Sequence, residues 1–511
     1  MMLLLLIVYA SLIQFVGSSP VATPTSSTST DDIVIFVLAS SPSSSSSGAC
    51  TDIAICRTRY TIIWSSLVTI LACVWTAVHR NVPGPPRADE SRILHVAGRA
   101  LEVMKIVVVT LLVPEWVLAW AVRQLLNAFV VTRQLEQARG QAKARWDAKQ
   151  ALLDSMARRW REGALERDRS AQTTSSEKAG VQDGEATQSL ARSCFGEKME
   201  AGWLELGEWT ASTVDDQAIR LRDAWTTRHG FFVIMGGFHY YQDGKPQHPL
   251  SREEVVNLVR NGDLAPPTDE EIRGWSQGDA LSKALSVVQT LWFIVQAIAR
   301  RVEGLPLTQL EVMTLAYTTI TVAMYVAWWN KPQNVGGPVR VVVKLPEQDE
   351  YEWYPRVFNV ITGMQDNEVD MRSEKRVSTF YGGGTDDANA VYADVVALAA
   401  AMVFGAVHCA AWNYASPSHA EQVIWRVSSL TIVALPGPML VCVLLILRWE
   451  RIPFTLRQVL RVLSVTVFIL SAPIYIAARL FLFALSFTTL RSLPSEAYRA
   501  VQWTLRIPHF T

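Results

Sequence analysis

The 511 residues contain no CxxC pair, no Cys/His run at zinc spacing, and no HExxH, GxSxG or nucleotide-binding glycine pattern. Those gaps remove the commonest metal, nucleophile and phosphate chemistries, so no catalytic, metal or cofactor residue is predicted and the chain reads as a non-enzyme. Charge is also scarce. Asp, Glu, Lys and Arg make up 18% of the chain, against about a quarter in soluble domains. Formal net charge is zero, which leaves no electrostatic argument for nucleic acid. The chain lacks any Asn-x-Ser/Thr sequon, which fits a hydrophilic mass held mostly in the cytosol.

What the chain has in plenty is apolar sequence, gathered into runs at 60–78, 106–122, 285–299, 310–329, 393–412, 427–447 and 462–478. Lipid offers a backbone no hydrogen-bond partner, so runs of this kind should be helices. The expected fold class is mainly α: a multi-pass transmembrane helical bundle with a small α+β hydrophilic insert between the second and third runs. Trp64, Trp116, Trp120, Trp328, Trp329, Trp412 and Trp425 stand near run ends, where amphipathic rings favour the bilayer interface. The expected partner is therefore the lipid bilayer, reached through the secretory pathway. Plasma membrane and endomembrane are not distinguished.

An opening run, MMLLLLIVYASLIQFVG, has signal-peptide length, so 1–18 is read as a signal peptide, with an uncleaved anchor as the alternative because a basic n-region is missing. Residues 19–59 read as a Ser/Thr-rich extracytosolic stalk. Cys50 and Cys56 end it, and would be able to pair in an oxidising compartment. Residues 60–122 hold the first two membrane helices. Pro114 and Glu115 sit at the middle of the second. A proline removes a backbone donor and a buried carboxylate is costly, which favours a run that dips and returns over one that crosses. Lys and Arg placement in the later loops supports the same choice.

Residues 123–165 carry Phe129, Leu135, Ala138, Ala142, Trp146, Leu152, Met156 and Trp160, mostly three or four apart, among basic residues, as an amphipathic helix would. Two readings stay open: a surface for anionic lipid or a partner helix, and a helix packed on its own domain. A flexible linker follows at 166–192. The α+β insert at 193–282 contains Phe231–Tyr241, read as strand, and Ser251 with Glu254, read as a capping box. With the basic helix it makes 123–282 the candidate region for protein partners. Residues 283–329 hold helices three and four. Residues 330–390 form a hydrophilic loop with a glycine-rich turn at 381–385. Residues 391–490 hold helices five to seven, interrupted at Arg479, with an interfacial helix at 480–487. Residues 491–511 form the tail.

Several strings carry a resemblance: CRTRYTIIWSSL at 56–67, WTTRHGFFVIMGGF at 225–238, EEIRGWSQGDALSKALSVVQTLWFIVQAIAR at 270–300, LPLTQLEVMTLAY at 305–317, NKP at 330–332, ARLFLFALSFTTLRSLP at 478–494 and WTLRIPHF at 503–510. Together they resemble a family of uncharacterised multi-pass membrane proteins from filamentous fungi. The resemblance implies an integral membrane location and no particular chemistry. The residues leave two function classes. The first is a membrane scaffold, receptor or sensor. The second is a transporter or channel for a small solute, with Glu115, Gln289, Gln296 and Asp394 along the pathway, since intramembrane carboxylates and broken helices mark such pathways.

Overall fold

A computed structural model describes residues 56–85, 92–177, 221–276, 280–343, 371–384, 387–414, 416–447 and 453–501. The signal peptide, nearly all of the stalk, Cys50 and most of the 166–192 linker lie outside the described residues. Helices dominate: α1 (Arg59–Thr76), α2 (Arg92–Leu112), α3 (Pro114–Glu177), α4 (Thr227–Ile234), α5 (Arg252–Asn261), α6 (Asp269–Trp275), α7 (Ala280–Val302), α8 (Gln309–Ala327), α9 (Asp387–Cys409), α10 (His419–Ala434), α11 (Pro436–Leu447) and α12 (Phe454–Thr488). Strands β1 (Phe238–Gln242), β2 (Lys245–Pro249) and β3 (Val339–Val341) form one sheet in the order β2-β1-β3.

Five helical segments, Arg59–Thr76, Gln309–Ala327, Asn389–Cys409, His419–Leu445 and Gln458–Ser492, are long and apolar enough to cross a membrane. Among them α8 is the hub. It packs against α1, α3, α7, α9 and α12, and two thirds of its residues are buried. Thr308 caps it by accepting from the Glu311 backbone N–H, while Glu311 reaches back to the Thr308 N–H. This reciprocal box answers two of the donors that every helix start leaves open. Glu311 is also held by both terminal nitrogens of Arg57. Arg57 Nε in turn donates to Ala497 O at 2.8 Å, and Arg300 donates to Arg499 O at 2.6 Å and Pro306 O at 2.8 Å. One clasp thus ties the start of α1, the end of α7, the start of α8 and the C-terminal segment at the upper end of the bundle. Cys56, beside that clasp, is disulfide-bonded.

Proline chemistry decides the middle of the second apolar run. Pro114 has no N–H and clashes with the carbonyl four residues back, so α2 stops at Leu112 and α3 starts at Pro114, where proline suits the first helical position. The chain then reverses. Lys105 of α2 and both Trp116 and Trp120 of α3 lie within 5.5 Å of the Phe380 ring, measured from Nζ or ring centroid. Glu102 pairs with Arg376 and Gln124 donates to Tyr381 O. Val103 and Ile106 of α2 line one pocket with Val74, Val78 and Arg80 at the end of α1, and Gln124 of α3 donates to Asn81 just past that same end, although residues 103 and 124 would stand about 32 Å apart on a straight helix. α2 and the first turns of α3 are therefore two arms of a hairpin.

α3 differs from the sequence reading at both ends. It is one helix from Pro114, with no boundary at 123, and it continues through 177, so 166–177 is helix and not linker. Its first turns, to Ala128, are buried on most sides, and one line of buried positions runs on through Val117, Ala121, Gln124, Ala128, Val131, Leu135, Ala138 and Ala142. They alternate steps of four and three, the seam of a helix packed lengthwise. The upper seam meets α8 and α9, and the lower seam meets α4 and α5. Phe129, expected in the stripe, is 45% exposed. Beyond Ala142 Leu152, Met156 and Trp160 are all more than 40% exposed.

Three further expectations change. Phe231–Tyr241 is not all strand. Its first part is helix α4, Gly236 turns the chain at φ +81°, and only Phe238 onward is strand. The insert is not self-contained, because β3, from the 330–390 loop, pairs parallel with β1. Arg479 does not interrupt the last apolar run: α12 continues from Phe454 to Thr488, which leaves no separate interfacial helix at 480–487. The sixth run, by contrast, is divided at Leu435 into α10 and α11.

Two predictions test this fold. Gly230 sits where a Cβ would strike the Ala128 carbonyl and Thr132 Oγ1. Gly230→Ala should push α4 off α3 and destabilise the purified protein by about 1–3 kcal/mol, as other overpacked sites do, read as a lower melting temperature. His239 of β1 is 2% exposed. Burial, then the neighbouring His248, lower its pKa from 6.5 to about 4. Across that window the unfolded chain takes up a proton that the folded chain refuses, so stability falls as pH drops from about 6.5 to about 4. Melting curves over this range should show that slope, and His239→Gln should flatten it.

Candidate functional site

The hairpin tip is where polar chemistry enters the apolar bundle. Breaking the helix at Pro114 leaves carbonyls at Leu111 and Leu112 without their usual partners. Two side chains from other helices answer them. Tyr317 of α8 donates its hydroxyl to Leu111 O, and Arg479 of α12 donates Nε to Leu112 O at 3.1 Å. Arg479 is 5% exposed. Its guanidinium lies 3.8 Å from the Phe404 ring centroid and 5.7 Å from that of Tyr317, so aromatic faces take part of the work that water does elsewhere. Glu115, 8% exposed, places Oε2 3.7 Å from Arg479 Nη2. That is an ion pair beyond hydrogen-bond reach. His408 is fully buried one turn along α9 from Phe404, with Nδ1 2.8 Å from the Phe404 carbonyl.

A second polar centre closes the lower end. Lys331, 1% exposed, lies just past α8. Its ammonium donates to His79 O, to Gln124 Oε1 at 2.7 Å and to Asn81 Oδ1 at 3.2 Å. It also stands 4.8 Å from the Trp120 ring centroid and 5.0 Å from that of Trp328. Burial pushes the Lys331 amine well below its ordinary value, whereas three oxygens and two indole faces favour the charged form. The indole nitrogens are satisfied too: Trp120 Nε1 donates to Tyr381 O and Trp328 Nε1 to Gln124 Oε1. Asn127 donates to Gly382 O and Gly383 O. The glycine-rich stretch read as a flexible turn is therefore a buried acceptor loop, and Gly383 supplies the φ of +86° that its path needs.

The four residues proposed for a solute pathway do not converge. Glu115 pairs with Arg479 at the hairpin tip. Asp394 pairs with Arg123 at 2.6 Å between α9 and α3, about two turns lower. Gln289 donates to Thr69 Oγ1 at 3.2 Å where α7 meets α1, and Gln296 is half-buried on α7. Among the described residues no group of three or more His, Cys, Asp or Glu is placed to hold a metal ion. Sequence reasoning missed Arg479 and Lys331 as structural centres. The sequence signal was the single charged residue in the apolar stretch 462–488 of α12 and a Trp-Trp-Asn-Lys-Pro string at a span end.

The arrangement defines an all-helical bundle with a helix-break hairpin docked inside it and a small α+β unit at one end. The profile of the Family of unknown function (DUF8562) matches residues 32–163, 208–373 and 376–510, and the chain belongs to that family. No curated protein and no solved structure matches it.

Removing one partner of a buried pair strands the other. Arg479→Leu should therefore cost about 3–5 kcal/mol in a thermal melt, through both Glu115 and the Leu112 carbonyl. Adding Glu115→Leu should recover part of that loss. No recovery would show that the ion pair is not what Arg479 contributes.

Proposed function

We propose that this is an integral membrane protein with six crossings and one re-entrant hairpin, and that it displays a cytosolic scaffold, receptor or sensor platform without enzymatic activity. The observation that carries the membrane reading is the sealed hairpin tip. Non-helical backbone tolerates membrane depth only where protein answers its polar groups, and Tyr317 and Arg479 do so here. Tyr317 is eight residues into α8, about 12 Å from the upper end, close to the midplane of a hydrocarbon layer about 30 Å thick. The filamentous-fungal multi-pass family that the sequence strings resemble supports the same reading.

Sidedness follows from chemistry at the two ends. The Cys56 disulfide suits an oxidising compartment at the upper end. α1, α8 and the α10–α11 pair then run inward, α7, α9 and α12 run outward, and the hairpin enters and leaves from the cytosolic side. This places Arg80, Arg99, Lys105 and Arg123 inside, as the charge rule favours. α3 carries the platform. Trp146 lies about 48 Å along the helix from the tip, so even at a tilt of about 45° it stands some 34 Å from the midplane. That is well clear of lipid, which favours a protein partner over an anionic membrane surface for the exposed stretch at Leu152–Trp160.

Solute transport is the second reading. A half-helix beginning near the midplane is a feature of transporter sites, but both candidate carboxylates already hold arginines. The test combines sidedness with capture. The chain should resist carbonate extraction. A glycosylation acceptor placed near residue 45 should be modified and one near residue 170 should not; modification at 170 would overturn the re-entrant topology. A photo-crosslinking residue at Met156 should capture a discrete soluble partner, and Leu153→Asp should abolish that capture. Solute uptake lost in Glu115→Gln would favour transport instead.

A further inference from the structure

We propose that the exposed face of α3 between Lys149 and Arg161 is the docking site for the chain's own acidic segment, residues 199–216. Leu152, Leu153 and Met156 of that face are 57%, 36% and 48% exposed, and Trp160 stands one turn on. At 100° per residue the four fall within about 100° of one another around the helix. Lys149 and Arg159 belong to the same side. From Lys143 to Arg161 the helix carries six basic residues against two acidic ones. An apolar strip bordered by positive charge fits an acidic amphipathic helix.

The path of the chain selects the occupant. α3 ends at Glu177. By Leu221 the chain is back beside α3, where the Leu221 carbonyl accepts from Arg139 at 2.9 Å and the Trp225 N–H donates to Glu136. The 43 residues between thus cover about 57 Å of α3 in the opposite direction. Within them, 199–216 holds five acidic residues and no basic one, the complement of α3. Met199, Trp203, Leu206 and Val214 recur at the spacing of one helical face, with Glu200 and Glu205 at its edges. Gly202 and Gly207 disfavour a helix standing alone, so this stretch needs a surface to fold against. Counted at helical rise from the Leu221–Arg139 contact, 199–209 comes opposite 151–161, and Glu200 falls beside Arg159. A second α3 laid on the same face would set positive charge against positive charge. The inference touches the platform reading in its consequence: a soluble partner reaches this face by displacing the segment.

The test is photo-crosslinking in the purified full-length protein, with the photoreactive residue at Met156. Isotopically heavy protein lacking that residue is mixed in before irradiation. Peptide mass spectrometry should place the crosslink within 199–216 and join light peptide to light. Glu200→Lys with Glu205→Lys should cut its yield about five-fold, the scale set by a few surface charge pairs. Adding Arg159→Glu should recover part of that yield, which a variant that merely misfolds would not do. An absent crosslink, one that lies elsewhere in the chain, one that joins light to heavy, or a yield unchanged by the charge reversal would each overturn the assignment. Purified protein contains no soluble partner, so this failure is distinct from failure of the platform reading. No crosslink to 199–216 beside continued capture of a partner in cells sinks only the docking. In cells the double charge reversal should raise partner capture at Met156.

Discussion

A hairpin made inside an apolar bundle must find partners for the backbone groups that its turn exposes. Everything else in this fold is arranged around that requirement at Leu111 and Leu112. A proline breaks the helix at 114, and a tyrosine and an arginine from two other helices supply the missing donors. Arginine suits this task because its planar guanidinium donates sideways through Nε while its face stacks on an aromatic ring. Phe404 provides that ring and Glu115 the counter-charge. Remove the aromatic faces and the carboxylate, and a buried guanidinium would be too costly to keep.

The lower end solves a related problem by different means. Lys331 is nearly inaccessible to solvent, yet each of its contacts favours the ammonium: three oxygens and two indole faces. Those contacts come from the end of α1, from α3 and from the end of α8. Through Gln124 they extend to the acceptor loop at 381–383. A network of this kind is stable only when every member is satisfied, so it specifies how the hairpin seats against α8. The upper clasp of Arg57, Glu311 and Arg300 does the same at the opposite end. The bundle is thus pinned at three levels by charges, and apolar packing fills the space between.

α3 connects these levels to the α+β unit. Its buried seam keeps one rhythm from Val117 to Ala142, so a single rigid helix passes from the hairpin tip to the insert without a joint. The unit it meets is completed from elsewhere, since β3 comes from the far side of α8 and pairs with β1. The insert and the bundle are for this reason one packed body along that seam, and a displacement of the tip would be carried down the helix.

Local chemistry was legible from sequence wherever neighbours along the chain make the feature. The capping boxes at Ser251 and Thr308, the break at Pro114 and the apolar helices all rest on contacts within four residues. The continuity of α3 past 165 and of α12 through Arg479 was not legible, because a charged residue reads as an ending unless its distant partners are known. Likewise no spacing rule places Tyr381 O beside Trp120, or Glu115 beside Arg479, across hundreds of residues. Sequence by itself determined that the apolar runs are helical, how apolar they are and where the second one must break, since backbone sterics and hydropathy act locally. Only the tertiary structure decided which charges are paired, which way the hairpin folds and what seals it, because those depend on side chains that meet only once the helices are packed.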